Sequence, residues 1–380
     1  MPRQSEHNTQ HSNSTEATMF FIMLAIVYLV ANIFIYLKCN AAMAGLPVAA
    51  RITAGVIYWA LALSFIIYMA AGDRGLPART GHAFYWVSTS WLVFTLYTLV
   101  WLIIFGIAGL AGLHVRQPFV WAAGLTLVIM AAGFANFATP DTRRLTVDVP
   151  KHIDGTRLTR IVAVSDLHLG YGVTRPRLEQ YVNLINDCKP DIILIAGDLI
   201  DMTITPLYQE KMWEPLGKLH ARLGIFMVPG NHDHLCGIDA CTQFVARTPI
   251  TLLRDSVARL ECGIQIVGRD DNYNRRRKPL AQLMSETDPD KPVIVIDHQP
   301  NDSQVSAAID SRADLLLCGH THNGQVWPFG LATKSIYSHS YGYDKVQGTH
   351  IYVSSGLGLW GPPYRIGSDS ELAVIDMRTE

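Results

Sequence analysis

The sequence predicts an N-terminal four-helix transmembrane region followed by an α/β domain. Four long uncharged apolar stretches lie in the first part of the chain, and short apolar runs alternate with amphipathic segments in the second part. The charges are distributed unequally: of 31 basic and 32 acidic residues among 380, only nine lie before residue 138. This distribution excludes a wholly soluble, collagen-like or disordered chain.

The membrane region is predicted from four apolar stretches, each long enough to cross a hydrocarbon core of about 30 Å, which takes about 20 helical residues. The stretches are residues 19–37, 52–71, 84–110 and 119–137. Gly, Pro and the few charged residues lie between them, as expected because lipid offers no partner to an irregular backbone. None of the stretches contains Asp, Glu, Lys or Arg, which argues against a transporter or a proton relay. We therefore predict a transmembrane region over residues 19–138.

The polar leader before these spans, residues 1–18, is predicted to be disordered. The first span is expected to be retained rather than cleaved as a signal peptide, because three more spans follow it. With four spans both chain ends lie on one side of the membrane, and that side carries five Arg residues against three basic residues on the other. This count favours a multi-pass inner-membrane protein whose domain is cytoplasmic. The six scattered cysteines lack a Cys-x-x-Cys pair and fit a reducing compartment, while an exterior domain stays open as the alternative.

The second part of the chain is predicted to be a layered α/β domain over residues 158–380, joined by a linker at residues 139–157. Five apolar runs predict strands that end directly before polar residues: 161–164, 192–196, 225–228, 293–296 and 315–317. Helices are predicted at 177–186, 208–221, 239–246 and 303–311, and further strands at 264–267, 351–354 and 372–375. Because ligands gather outside the carboxyl ends of strands in α/β sheets, we expect the five polar strand ends to converge on one site.

The polar residues at these strand ends predict a metal centre. Carboxylate, imidazole and amide groups that meet without a cation would repel one another or lack partners. The donors are nitrogen and oxygen without thiolate, which suits Mn, Fe or Zn rather than an iron–sulfur cluster or a calcium site. The ligands suffice for two divalent ions about 3.5–4 Å apart, an arrangement that stabilises both the attacking and the leaving oxygen at phosphorus.

Five sequence blocks carry a resemblance to a known family. They read Asp166-Leu-His168, Gly197-Asp198-Leu-Ile-Asp201, Gly230-Asn231-His232-Asp233, His298-Gln-Pro300 and Gly319-His320-Thr-His322. With these blocks the chain resembles the calcineurin-like metallophosphoesterase superfamily over roughly residues 159–377. The block from Gly319 to Phe329 and the tail 353–361 are similar to its YkuE-like membrane-associated branch. Met202-Thr203 and Asp233 stand where the protein phosphatase branch has Arg-Gly and Glu, which argues against a phosphoprotein phosphatase.

The resemblance implies a two-sheet β-sandwich flanked by helices and a role for each block. It implies that one metal is held by Asp166, His168, Asp198 and His322, and that Asn231, His298 and His320 complete a second site with Asp198 as the bridge. His232 would stabilise the phosphoryl oxygens or protonate the leaving oxygen, and Asp201 would orient it. A metal-bound hydroxide would be the nucleophile.

The expected function is hydrolysis of a phosphomonoester, phosphodiester or pyrophosphate, on a lipid-linked or membrane-derived substrate because the tether confines the site to the bilayer. The alternatives are a UDP-diacylglucosamine pyrophosphatase of lipid A synthesis and a non-catalytic membrane sensor with the same fold. The bilayer and a phosphoester are the expected partners. A net charge of −1 gives no general attraction to nucleic acid, and the oligomeric state stays open.

Two further segments have alternative interpretations. The basic run 275–278 is either a solvated loop or a contact for phosphate or anionic headgroups. Six apolar residues near the last block either pack in the interior or, if exposed beside the site, receive an acyl chain. They are Trp327, Phe329, Leu331, Leu357, Leu359 and Trp360.

Overall fold

Four long helices form the first part of the chain. The computed structural model describes the backbone of residues 3–71, 75–153 and 158–380, and the side chains of Met19 and of residues 22–70, 75–153 and 158–380. The helices are α1 (Arg3–Ala42), α2 (Val48–Ala71), α3 (Ala78–Leu110) and α4 (Pro118–Ala138). Each contains a stretch long and apolar enough to cross a membrane, which confirms the four predicted helices. The predicted disorder of residues 1–18 lies outside the described side chains and stays a prediction.

The chain divides into two compact units. The first comprises Met1–Gly72 and Trp86–Ala131, and its core contains Ile35, Tyr58 and Leu102. The second comprises Asp73–Tyr85 and Ala132–Glu380, so it includes the start of α3 and the last turns of α4 together with the α/β domain.

Two six-stranded sheets form the α/β domain. The first sheet contains β1 (Asp141–Asp148), β2 (Leu158–Val164), β3 (Ile192–Ala196), β4 (Gly224–Val228), β5 (Thr251–Leu252) and β12 (Glu371–Arg378), in the order β1-β12-β2-β3-β4-β5. The second contains β6 (Ser256–Arg259), β7 (Gln265–Gly268), β8 (Val293–Ile296), β9 (Leu315–Cys318), β10 (Gly342–Val346) and β11 (Thr349–Val353), in the order β10-β11-β9-β8-β7-β6.

The two sheets pack face to face. Ile161 and Leu194 of the first sheet share one buried cluster with Ile294 and Leu317 of the second. The helices are α5 (Arg175–Asp187), α6 (Thr205–Gln209), α7 (Trp213–Leu216), α8 (Asn231–Val245), α9 (Leu280–Met284), α10 (Asp302–Asp310) and α11 (Phe329–Ile336). Residues of α5 to α8 cover the outer face of the first sheet, and residues of α9 and α10 cover that of the second. The predicted two-sheet sandwich flanked by helices is confirmed.

The predicted linker and one predicted helix differ from the structure. Residues 141–148 of the predicted linker form β1, which pairs in parallel with β12 and buries Val147. Only Leu145 and Val147 of this strand are apolar, so its sequence resembles a linker until its partner is known. The predicted helix at 208–221 is instead divided into α6 and α7, because Lys211 between them has a positive φ of 50°.

Candidate metal centre

The parallel strands bring all nine predicted site residues to one edge of the sandwich. β2, β3 and β4 are mutually parallel, as are β7, β8 and β9, so their carboxyl ends lie together. Five of the site residues adopt the left-handed conformation, with φ between 47° and 72°: Asp166, His168, Asp198, His320 and His322. For a residue with a Cβ this conformation costs about 1–2 kcal/mol, and such strain is concentrated at functional sites.

One group of potential ligands consists of Asp166, His168 and His322, all buried. The Nε2 atoms of His168 and His322 lie 3.1 Å apart. Asp166 Oδ1 lies 3.5 Å from His322 Nε2 and 3.9 Å from His168 Nε2. Three atoms that can each donate an electron pair therefore surround one point.

The second group consists of Asp198, Asn231, His298 and His320. His298 Nε2 lies 3.1 Å from Asp198 Oδ2 and 3.1 Å from Asn231 Oδ1, and His320 completes the group with Asp198 and His298. Asp198 Oδ2 also lies 3.7 Å from His168 Nε2 in the first group. The same carboxylate oxygen therefore faces both groups, as a ligand that bridges two cations would.

The protonation of His298 tests whether these residues fit a cation. Its Nδ1 lies 2.8 Å from the carbonyl oxygen of Ala196, which can only accept, so Nδ1 carries the proton. In the neutral ring Nε2 is then an acceptor, yet it faces the oxygens of Asp198 and Asn231. Acceptors that face one another at this distance need a cation or an additional proton between them. The mixed nitrogen and oxygen donors fit divalent metal ions.

The pKa shifts of His320 and His322 favour ligation by neutral imidazoles, whereas the pKa of His298 is lowered by burial but raised more by the charge of Asp198. Burial, reinforced by His298, lowers the pKa of His320 to about 3. Burial, reinforced by His168 and Arg365, holds the pKa of His322 well below its usual value. Burial raises the pKa of Asp198, but the adjacent imidazole of His298 lowers it more, so this carboxylate is ionised. Neutral imidazole and ionised carboxylate are the forms that bind metals.

His232 and Asp201 lie beside the first group. Asp201 Oδ1 is 3.3 Å from His232 Nδ1 and 3.5 Å from His168 Nδ1, so one carboxylate orients both rings. Burial lowers the pKa of His232, but Asp201 and Asp198 raise it more, and the net pKa lies above the usual value. The His232 ring also contacts the exposed ring of Trp360, with centroids 6.0 Å apart.

Glycine is required where the backbone approaches the ligands. A Cβ at Gly230 would overlap the carboxylate of Asp198, and one at Gly197 would overlap the ring of His298. Gly197 also has a φ of 86°, which favours glycine. Glycine at these two positions is therefore required by the close approach of the ligand side chains as well as by the turns.

Other polar residues near the site support the loops. The Asp233 carboxylate accepts from the backbone N–H groups of Gly230 and Ile200, at 2.9 and 3.0 Å. Burial, with the nearby charge of Asp198, raises its pKa to about 6. Arg277 of the basic run is an ion-pair partner rather than a solvated residue, because its Nη1 lies 3.1 Å from Asp297 Oδ1. Asp297 in turn pairs with the buried Arg269 at 2.8 Å.

Arg365 is a site-supporting residue that the sequence did not reveal. It is buried, and it donates to the carbonyl oxygens of His322 at 3.1 Å, Gly356 at 3.0 Å and Gly358 at 2.6 Å. Burial lowers its pKa to about 10. No local pattern marks this residue, because His322 lies 43 residues away in the sequence.

Comparison with known proteins agrees with this geometry. Residues 159–324 match the calcineurin-like phosphoesterase family. An uncharacterized metallophosphoesterase of Helicobacter pylori (strain J99) is 35% identical over 222 residues, which cover 57% of this chain and 59% of that protein. A transmembrane protein with metallophosphoesterase domain from Bos taurus is 31% identical over 276 residues, which cover 67% of this chain and 61% of that protein.

A third relative is the uncharacterized metallophosphoesterase YkuE of Bacillus subtilis. It is 29% identical over 279 residues, which cover 68% of this chain and 93% of that protein. The chain spans 59% and 61% of the lengths of the Helicobacter and bovine relatives. The family match, these relatives and the strand-end ligands together identify residues 159–324 as a domain of the calcineurin-like phosphoesterase family.

Proposed function

We propose that this protein is a membrane-anchored hydrolase that cleaves a phosphoester or phosphoanhydride bond of a lipid-linked or membrane-derived substrate with two divalent metal ions. One observation carries the proposal: two groups of buried ligand atoms share Asp198 Oδ2, at 3.1 Å from His298 Nε2 and 3.7 Å from His168 Nε2. Such a pair of adjoining groups suits in-line displacement at phosphorus.

The ligand assignment follows the two groups. Asp166, His168, Asp198 and His322 would hold one ion, and Asn231, His298 and His320, with Asp198 as the bridge, would hold the other. Ions bound there would neutralise the phosphoryl oxygens and lower the pKa of a coordinated water. The neutral imidazoles of His320 and His322 and the ionised Asp198 support this assignment.

His232 is proposed to act on the substrate directly. Its Nδ1 faces Asp201 Oδ1 at 3.3 Å, which leaves Nε2 available to the substrate. Burial lowers its pKa, but the carboxylates of Asp201 and Asp198 raise it more, which favours the protonated ring. That proton can stabilise the phosphoryl oxygens or pass to the leaving oxygen.

The test compares metal content and turnover. The full-length protein in detergent is assayed with an aryl phosphodiester, an aryl phosphomonoester and UDP-diacylglucosamine, and its bound metals are measured by elemental analysis. We expect two metals per chain, with turnover lost in Asp198→Asn and His232→Ala. Asp290→Asn and His220→Ala make the same chemical changes at exposed positions and are expected to leave turnover unchanged.

Each alternative outcome has its own meaning. Hydrolysis of UDP-diacylglucosamine in preference to both aryl esters would assign the protein as a pyrophosphatase of lipid A synthesis. Metal binding and tight ligand binding without turnover of any substrate would assign it as a membrane sensor. Full activity of Asp198→Asn would contradict the dinuclear centre.

We also propose that the domain faces the cytoplasm from the inner membrane. The basic residues on the side of both chain ends support this orientation. Labelling of Cys236 and Cys262 by a membrane-impermeant thiol reagent is expected only after the cells are opened. Labelling of intact cells would place the domain outside.

A further inference from the structure

A set of large apolar side chains is exposed beside the metal centre. We call the set the apolar rim, and it consists of Trp327, Phe329, Leu331, Ile336 and Trp360. Leu331 and Ile336 of α11 are 63% and 65% exposed, and Phe329 and Trp360 are 55% and 54% exposed. Among the described side chains of α11, none is buried.

The rim adjoins the catalytic residues on both of its sides. The ring of Trp360 lies 6.0 Å from that of His232. At the other side, Tyr337 follows α11 and its ring lies 6.1 Å from that of the ligand His320. Gln325 joins the two loops, because its amide donates to the carbonyl oxygen of Trp360 at 2.7 Å and accepts from its N–H at 3.1 Å.

The rim is an unusual surface for a part of the domain that faces only water. Large contiguous apolar patches on soluble proteins mark interaction sites. A helix of eight residues, as α11 is, has little stability of its own in water, so burial of its apolar side chains against a partner would stabilise it. The exposure is confined to particular positions, because Leu357 and Leu359, only a few positions before the exposed Trp360, are completely buried.

The rim is attached to the end of a helix that is apolar enough to cross a membrane. The backbone N–H of Trp327 donates to the carbonyl oxygen of Ile366 at 2.7 Å. The next residue toward the N-terminus, Arg365, donates from its N–H to the carbonyl oxygen of Gly133 at 3.0 Å. Gly133 lies in the last turns of α4. Only a few residues of ordered backbone therefore separate the rim from the last turns of a span.

This attachment is supported by further contacts within the same unit. The Asn136 amide near the end of α4 donates to the carbonyl oxygen of Ser368 at 2.8 Å. Arg177 of α5 donates to the carbonyl oxygen of Ala138 at 3.1 Å and lies over the ring of Phe137, 4.5 Å from its centroid. The end of α4 is thus fixed to the domain next to the rim.

We propose that the apolar rim inserts into the interfacial layer of the bilayer that the spans cross, so that the metal centre opens toward the phosphate level of the membrane. A short helix with Phe, Leu, Ile and a basic residue, here Lys334, and tryptophan beside it are typical of segments that lie in this layer. The proposal deepens the proposed function and rests on it for the substrate: the scissile bond belongs to an amphiphile in the same leaflet.

Photolabelling by lipid tests the docking without relying on catalysis. The full-length protein is placed, one chain per disc, in phosphatidylcholine–phosphatidylglycerol nanodiscs that contain a phosphatidylcholine with a diazirine on its acyl chain. After irradiation, lipid adducts are mapped by mass spectrometry. We expect adducts on residues 327–336 as well as on the spans, and at least fivefold fewer on α9, which lies on the outer face of the second sheet. Labelled spans with an unlabelled rim would overturn the proposal.

Variants then test whether docking of the apolar rim affects hydrolysis of a substrate in the bilayer. Leu331→Asp with Ile336→Asp is expected to reduce rim adducts about fivefold and to slow hydrolysis of a bilayer-embedded phosphoester about tenfold, while a water-soluble aryl phosphodiester is cleaved at the wild-type rate. Ala281→Asp, which also introduces Asp at an exposed position of a short helix, α9, is expected to change neither. Unchanged adducts in the double variant would contradict the docking.

The outcomes separate this proposal from the proposed function. Rim adducts in the wild type without turnover of any bilayer substrate would retain the docking and reject the lipid-linked substrate. An unlabelled rim in the single-chain discs, together with dimers in detergent, would overturn the docking and assign the rim to a second copy of the chain.

Discussion

Two buried polar clusters, one in each unit of the chain, differ in how their atoms are paired. In the first unit, Asn32 donates to the carbonyl oxygen of Tyr28 at 3.0 Å, and its side-chain oxygen accepts from Trp91 Nε1 at 3.0 Å and from Tyr58 at 3.1 Å. In the second unit, His298 uses its Nδ1 proton on the carbonyl oxygen of Ala196, and its Nε2 faces Asp198 Oδ2 at 3.1 Å and Asn231 Oδ1 at 3.1 Å. The first cluster pairs donors with acceptors, whereas the second brings acceptors together.

This difference distinguishes buried polar residues that stabilise the fold from those that can bind a ligand. Neutral donors and acceptors that satisfy one another join helices in an apolar environment and need no ligand. Acceptors that face one another need a cation or an additional proton between them, so such a cluster is suited to bind a cation. Burial of polar residues alone therefore does not identify an active site. What identifies it is whether the buried acceptors face donors or face one another.

The largest effect is expected from removing a ligand of the second group. His298→Gln removes the Nε2 atom that faces Asp198 and Asn231, so metal content should fall from two ions per chain to about one and turnover by about 10³-fold. Elemental analysis and a steady-state assay measure both quantities, with His220→Gln as the exposed control. Two retained ions with normal turnover would show that His298 is not a ligand.

The next effect concerns the carboxylate that orients the two rings. Asp201→Asn keeps the shape but removes the charge facing His168 and His232, and turnover should fall about 10–100-fold, the usual range for such supporting residues. Metal content should change less than in His298→Gln. An Asp201→Asn protein that loses all metal would mean that Asp201 is itself needed to bind it.

A third buried polar cluster, around Asp270, contains a charged group, but each of its acceptors faces a donor. Asp270 accepts from His234 Nε2 at 2.7 Å, from Asn274 at 2.9 Å and from Arg254 at 3.0 Å. Burial raises the pKa of Asp270, but these three hydrogen bonds lower it more, so it lies well below the usual value. Because the folded pKa is depressed, this carboxylate contributes stability above about pH 4, and the contribution is lost as the pH falls.

Asp270→Asn is therefore expected to lower the free energy of unfolding at pH 7 by about 1.5–3 kcal/mol, the range for hydrogen bonds to a charged group. The difference from wild type should shrink as the pH falls below about 4, where Asp270 of the unfolded wild-type chain begins to take up a proton while the folded carboxylate is still ionised. Thermal unfolding in detergent across this pH range measures it. A difference that grows toward low pH would have the wrong sign for a depressed pKa.

The smallest effect is expected in the first unit. Asn32→Leu leaves Trp91 Nε1 and the Tyr58 hydroxyl with one acceptor fewer, and hydrogen bonds between membrane helices contribute about 0.6 kcal/mol on average. We expect a slightly lower unfolding temperature with unchanged metal content and turnover. The control is Val30→Leu, at an exposed apolar position. A loss of turnover in Asn32→Leu would contradict a purely structural role for this cluster.

Much of the architecture could be predicted from the sequence because its determinants are local. The spans are continuous apolar runs, and the site residues directly follow buried strands, as Asp198 follows Ile192–Ala196. Strand β1 and the break between α6 and α7 could not be predicted in this way. The pairing of β1 with β12 joins residues more than 200 positions apart, and the break depends on the conformation of a single residue, Lys211.

By itself, the sequence determined the residue types of the metal centre and the apolar spans, since both are written in consecutive residues. Only the tertiary structure decided which atoms face one another, such as Asp198 Oδ2 toward both groups and Arg365 toward the His322 loop. It also buried Leu357 and Leu359 while exposing Leu331 and Trp360. Residue type fixes what a side chain can do, but contacts between distant segments fix whether it meets water, protein or a ligand.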